Sequence, residues 1–246
     1  MTDEYGSACL VVQADMGSKH GPGMFPSLLI DLTKTLLSEH IIKTAKTFFS
    51  RPEIPKFQID IIINNAGVGK NQTIAEITLD KYEWQYRINV LGPLLLLQAA
   101  LPYLPNDRSG RIVNVSSVSS SEGFIGQSVY GGTKAALEAM TRTWARELAE
   151  RATINAINPG PVITDMWNGS QDGFKDHVRP FLQHSPLAAI RECIDHEELV
   201  TNAPNAGGRP AYPEEIGGIV GMLCTPDSAW CTGQVICANG GMRMVI

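Results

Sequence analysis

Four short apolar segments with helical patterns between them constrain the fold of this chain most. They are "IDIII" at 59–63, "RIVNVS" at 111–116, "TINAIN" at 153–158 and "QVICA" at 234–238, all rich in β-branched residues. Each is mostly apolar on both alternating faces, as a strand must be when helices cover both sides of its sheet. One helix-period pattern runs from Leu79 to Leu101, and a second from Val129 to Glu150 with Ala, Leu, Met and Trp at helical spacing. A third begins near Pro213, a first-turn proline followed by two glutamates. This alternation predicts an α/β fold built on a doubly wound, Rossmann-type parallel sheet.

The 246 residues suffice for one domain with a substantial core, and no repeat or linker divides them, so 1–246 reads as a single domain. A chain that is 43% apolar and 18% charged is not globally disordered. With a net charge of −5 and scattered Lys and Arg, no basic footprint for nucleic acid exists. The longest apolar run, "VLGPLLLLQAALPYL", is broken by Gly, Pro and Gln, so no membrane partner is expected. The start, "MTDEYGS", has no signal-peptide pattern, and five cysteines without close pairing read as reduced thiols of a cytoplasmic protein. Cys193 and His196 offer two metal ligands that nothing completes; they read as ordinary helix surface, and no metal is expected. The polar stretch from Trp167 to Gly208 breaks the strand–helix rhythm, and its length predicts short helices forming a substrate loop or lid.

The stretch "NVSSVSSSEGFIGQSVYGGTKAALEAM" carries the chemistry. Tyr130 and Lys134 are four apart in a helical pattern and share one face. An ammonium beside a phenol favours the phenolate, which lets a tyrosine act as acid or base near neutrality. Ser117 ends a strand, where an α/β sheet collects ligands, and its hydroxyl can hold a carbonyl oxygen as charge develops. Tyr-x-x-x-Lys alone is a weak signal, since a solvated lysine beside a half-buried tyrosine gives the same spacing. His177 and His184 fall in the 167–208 segment, where each reads as a solvated lid residue.

With its surroundings, the pattern resembles the short-chain dehydrogenase/reductase family over roughly residues 9–242. "NNAG" at 64–67 follows a strand, "YRINVLG" contains Asn89, and Ser117 precedes Tyr130 by the family's spacing. "NPGPVITDM", "GRPAYPEEI" and "TGQVICANGG" match the later segments, with Asn239 where the family commonly has Asp. The resemblance implies that Tyr130 exchanges a proton with the substrate oxygen and that Ser117 orients it. It implies further that Lys134 lowers the tyrosine pKa and holds the nicotinamide ribose, while Asn89 completes a proton relay. Asn65, Val162 and Thr164 would contact the cofactor, which is NADP or NAD, with NADP preferred. A small-molecule alcohol or ketone, of secondary-metabolite type by overall texture, is the implied substrate. A homo-dimer or homo-tetramer through the two long helices is the implied assembly.

The amino-terminal "GSKHGPG" admits two placements. As the family's phosphate turn, Gly17, Gly21 and Gly23 would cradle a pyrophosphate, but only one helical stretch then separates them from "NNAG". The other placement makes "CLVVQADM" the family's third strand, with Asp15 contacting adenine and residues 17–38 an insertion. We favour the second, which leaves the sheet without its first strand–helix–strand unit, as in a truncated or misread gene product. Besides an NAD(P)-dependent oxidoreductase, the sequence therefore admits a catalytically impaired homologue serving as an interaction partner, and, less well, an epimerase.

Overall fold

The computed structural model describes residues 36–50 and 56–244. Strands β1 (Ile61–Asn64), β2 (Gly110–Val115), β3 (Ala152–Pro159) and β4 (Val235–Ala238) form one parallel sheet in chain order. All four expected strands are present, with ends shifted by one or two residues. Asp15, Gly17, Gly21 and Gly23 lie outside the described residues. Of the expected 17–38 insertion, residues 36–38 belong to helix α1 (Leu36–Phe49), and the rest lies outside the described residues.

The first long helical pattern is continuous but not uniform: α2 (Leu79–Tyr86) passes through a π turn (Arg87–Leu91) into α3 (Gly92–Ala100). After β2 come the short α4 (Ser119–Glu122) and the long α5 (Ser128–Glu147). The 167–208 segment is largely helical, as its length required: α6 (Asp165–Asn168) leads into it, and α7 (Asp172–His184) and α8 (Glu197–Ala206) occupy it. Cys193 to His196 form the turn before α8 rather than a helix surface, and His196 donates its backbone N–H to the Tyr212 hydroxyl. Helix α9 (Pro213–Cys224) starts at the predicted proline.

The register aligns Ile62 with Ile112 and Ile112 with Ile154, a row of isoleucines across three strands. That row faces Ile42 of α1, Leu97 and Ala100 of α3, and Leu137 and Trp144 of α5. Side chains alternate along a strand, so Val113 and Ile157 face the other way, against Leu223 of α9. Ile61 and Ile63 share this second face but stay 48% and 47% exposed. Among the described residues β1 has one strand neighbour, β2. Also among the described residues, no helix is long and apolar enough to cross a membrane.

One polar chain runs through the first face. The Asn64 amide donates to Asn114 Oδ1 at 2.7 Å, and the Asn114 amide donates to Thr141 Oγ1 at 2.8 Å. The Thr141 hydroxyl then donates to the Leu137 carbonyl. All three side chains are buried, so each bond replaces water that cannot reach them. The chain joins β1, β2 and α5, the elements that carry the motif residues. Asn114→Leu would leave the buried Asn64 amide without its acceptor, at about 1–3 kcal/mol, and would strip Thr141 of the bond it accepts while its own bond to Leu137 remains. We expect a lower urea midpoint at unchanged m in equilibrium unfolding followed by circular dichroism.

Candidate active site

The site forms at the carboxyl ends of β1, β2 and β3. Ser116 and Val118 extend β2 past its last residue by donating to the carbonyls of Ile157 and Pro159. Glu138 then fixes the loop from α5, because one carboxylate oxygen accepts the hydroxyls of Ser116 at 2.6 Å and Ser120 at 2.7 Å. Helix α5 approaches this loop at Gly131, where a Cβ would collide with the Ser119 carbonyl oxygen. Glycine at this position allows α5, with Tyr130 beside it, to lie close against the loop that carries Ser117.

Lys134 lies one turn further along, only 3% exposed, with Nζ donating to the Val115 carbonyl at 2.8 Å. Burial disfavours its charged form and lowers its pKa to about 8. Nζ lies 5.7 Å from the centre of the Tyr130 ring. The expected lowering of the tyrosine pKa is not what this geometry produces. Burial raises it, and the hydrogen bond with Ser117 opposes that rise. Lys134 is turned toward Val115, and desolvation of the phenolate dominates.

Asn89 sits in the π turn, a feature that re-aims side chains and often marks functional positions. Its Oδ1 accepts the Val68 N–H at 2.9 Å, while Nδ2 donates to the Val68 carbonyl at 2.8 Å and to Thr133 Oγ1 at 3.0 Å. Both ends of the amide are committed, so the side chain clamps the loop after β1 onto α5. In that loop a Cβ at Gly67 would stand 3.1 Å from Lys134 Nζ, and one at Gly69 would stand 3.1 Å from the Tyr130 ring. Two glycines therefore let backbone cover the tyrosine–lysine pair. Asn65, at the end of β1, is exposed.

Past β3, Val162 forms a parallel bridge with Ala211, whose N–H and carbonyl bond Pro161 and Ile163. Such a bridge turns the N–H of Val162 itself away from Ala211. Thr164 follows at the start of α6, exposed, its hydroxyl donating to the Val162 carbonyl at 3.2 Å. Asn239 preserves the acceptor role of the aspartate common at its position, since its Oδ1 receives the N–H groups of Gly241 and Arg243.

The 167–208 segment packs onto the loop after α4. Val178 and Leu182 of α7 close over Phe124 with Phe174 and Phe181, and His177 Nε2 accepts the Ile125 N–H at 3.3 Å. His177 is thus a tether between α7 and that loop, whereas His184 is exposed. At the segment's other end, buried Asp195 pairs with Arg191 and Arg209, and Arg209 also pairs with Glu215 of α9. Hydrogen bonding from Arg191 leads the effects that hold the Asp195 pKa at about 2.

Sequence reasoning missed Val68 and Thr133, which hold Asn89, and Ser119, Gln127 and Asn71, which extend from Ser117. Thr133 was visible only as the residue before the lysine. The others have no motif, because their partners are 8 to 56 residues away in the chain.

These residues fit a nicotinamide nucleotide. Lys134 finds one acceptor for its three N–H groups among the described residues, leaving donors for a ribose diol. The Val162 N–H is directed away from Ala211, as a carboxamide oxygen requires, and Gly67 and Gly69 allow close approach.

The family model for short chain dehydrogenase matches residues 31–173. The chain belongs to this family. Its relatives include an L-xylulose reductase of Aspergillus niger, 52% identical over 82% of this chain and 73% of the relative. An L-xylo-3-hexulose reductase of Hypocrea jecorina is 48% identical over 94% of this chain and 83% of the relative. Among solved structures, a short-chain dehydrogenase of Brucella melitensis superposes with a TM-score of 0.69 at 26% identity, covering 88% of this chain and 75% of that one. A blue fluorescent protein from a metagenomic library, in complex with NADPH, gives 0.67 at 27% identity, covering 87% and 74%. The chain is an NAD(P)-dependent oxidoreductase that interconverts an alcohol and a ketone.

Lys134 gives a pH test. Its folded pKa of about 8 lies below the ordinary lysine value of 10.5, so between them the unfolded chain binds more protons. Stability then rises with pH across that window, as the buried ammonium becomes neutral. Thermal melts of the cofactor-free protein should show the wild type gaining on Lys134→Met from pH 8 to 10.5, with no such gain below pH 7.

Proposed function

We propose that this chain reduces the carbonyl of a polyhydroxy ketone, a ketose, with NADPH. The observation carrying this is the pairing of an assembled Ser117–Tyr130–Lys134 site with ketose reductases at 52% and 48% identity. The secondary-metabolite substrate suggested by sequence texture draws no support from those relatives. The NADPH complex of the metagenomic relative supports NADPH over NADH.

When bound, the reduced nicotinamide supplies a hydride for the carbonyl carbon. Tyr130 Oη gives its proton to the oxygen as the alcohol forms, and the raised pKa keeps that proton in place until negative charge develops. The Ser117 hydroxyl holds the same oxygen by turning its single proton to it from Ser119 Oγ. Lys134 holds the ribose and places positive charge below the tyrosine. Asn89 acts through position, keeping Gly67 and Gly69 against Lys134 and Tyr130. Asn65, Val162 and Thr164 line the nicotinamide side, and Asp15 is assigned to adenine.

Residues 1–246 act as one catalytic unit in this proposal, in a homo-dimer or homo-tetramer that α3 and α5 assemble. A cytoplasmic setting belongs to this proposal and rests on cysteines that lack close pairing in the sequence.

NADPH oxidation followed at 340 nm with L-xylulose tests the reading. Tyr130→Phe should lower kcat by about 10²–10⁴-fold, the usual worth of a general acid, while still binding NADPH by fluorescence. A wild type that reduces simple ketones and no ketose would overturn the substrate assignment.

A further inference from the structure

A line of half-buried polar side chains leads away from the Ser117 hydroxyl. Ser117 Oγ donates to Ser119 Oγ at 3.1 Å and accepts the Ser119 N–H at 3.2 Å. Ser119 Oγ donates to Gln127 Oε1 at 2.5 Å, and Gln127 Nε2 donates to Asn71 Oδ1 at 3.0 Å. Three separate parts of the chain meet here: the loop after β2, the residue capping α5, and the loop after β1. The backbone holds the meeting in place, with Gln72 N–H donating to the Gly126 carbonyl at 2.8 Å. A Cβ at Gly126 would stand 3.7 Å from that of Asn71, so the two loops are in contact.

The direction of these bonds decides what the line can bind. Each link donates outward from Ser117, so the acceptors of Ser119, Gln127 and Asn71 are engaged by one another. What remains is a surplus of donors: one N–H of Gln127 and both N–H groups of Asn71 find no acceptor among the described residues. Half-buried donors are costly when a ligand displaces their water without replacing it. Hydroxyl oxygens of a polyol replace it, whereas an alkyl chain strands the donors. Glu138 on the other side of the loop does not compete, because its carboxylate is occupied by Ser116 and Ser120.

We infer that Gln127 and Asn71, supported by Ser119, form the subsite that reads the hydroxyl groups next to the carbonyl. The inference rests on the ketose reading above. Selection by such a subsite is strong, because a site built to hydrogen-bond a hydroxyl rejects the analogue lacking it. A merely apolar pocket discriminates far less.

The test compares L-xylulose with 2-pentanone, a ketone of equal carbon count without hydroxyl groups, using the full chain and NADPH. In wild type, kcat/KM should favour the ketose. In Gln127→Leu the ratio of kcat/KM for ketose to that for pentanone should fall by roughly tenfold or more, chiefly through KM. Asn71→Ala approaches the same donors from the other loop and should move the ratio in the same direction, which covers a Gln127 variant that does not fold. A wild-type preference that both variants retain, with equal losses on the two substrates, overturns the subsite alone and reduces these residues to supports for Ser117. A wild type indifferent between the two ketones overturns the ketose reading and the subsite with it.

Discussion

The hydrogen-bond chain from Asn64 through Asn114 to Thr141 is the constraint on which the site depends. A one-residue slip in a parallel sheet turns every side chain of the strand to the opposite face. Here such a slip would also leave buried amides unpaired, so the polar chain and the isoleucine row enforce the same register. With β1, β2 and α5 pinned together, their continuations converge. Asn65 to Gly69, Ser116 to Ser119, and Tyr130 to Lys134 reach one place because their supporting elements cannot move independently.

Charge is handled at this site through burial. Lys134 is an ammonium beneath backbone, held by a single carbonyl among the described residues, with donors in reserve for a ligand. Its lowered pKa and the raised pKa of Tyr130 share one cause, the removal of water. A bound nucleotide would offer the lysine the acceptors it lacks, so the cofactor-free site is poised rather than relaxed. The 167–208 segment follows a different logic. Aromatic packing around Phe124 holds one end, and the Asp195–Arg209–Glu215 ion pairs tie the other to α9.

Much of this was legible in the chain. The strands at 59–63, 111–116, 153–158 and 234–238 could be read because buried parallel strands are apolar on both faces. Ser117, Tyr130 and Lys134 could be read because their spacing is local to one strand end and one helix turn. The π turn was not legible: "YRINVLG" has an unbroken helical pattern, and only packing against Val68 and Thr133 shows why the helix widens at Asn89. The tyrosine pKa was misread for a related reason. Spacing places the lysine one turn from the tyrosine, but the direction of Nζ is set by Val115, on another element.

The sequence by itself determined the fold class and the family, because strand and helix periodicity encodes the one and the ordered short motifs carry the other. Only the tertiary structure decided that Asn89 clamps a glycine loop, that burial outweighs the lysine at Tyr130, and that donors of Gln127 and Asn71 line up beyond Ser117. Those outcomes depend on contacts between residues far apart in the chain and on the exclusion of water. Neither has a periodic trace in the order of amino acids.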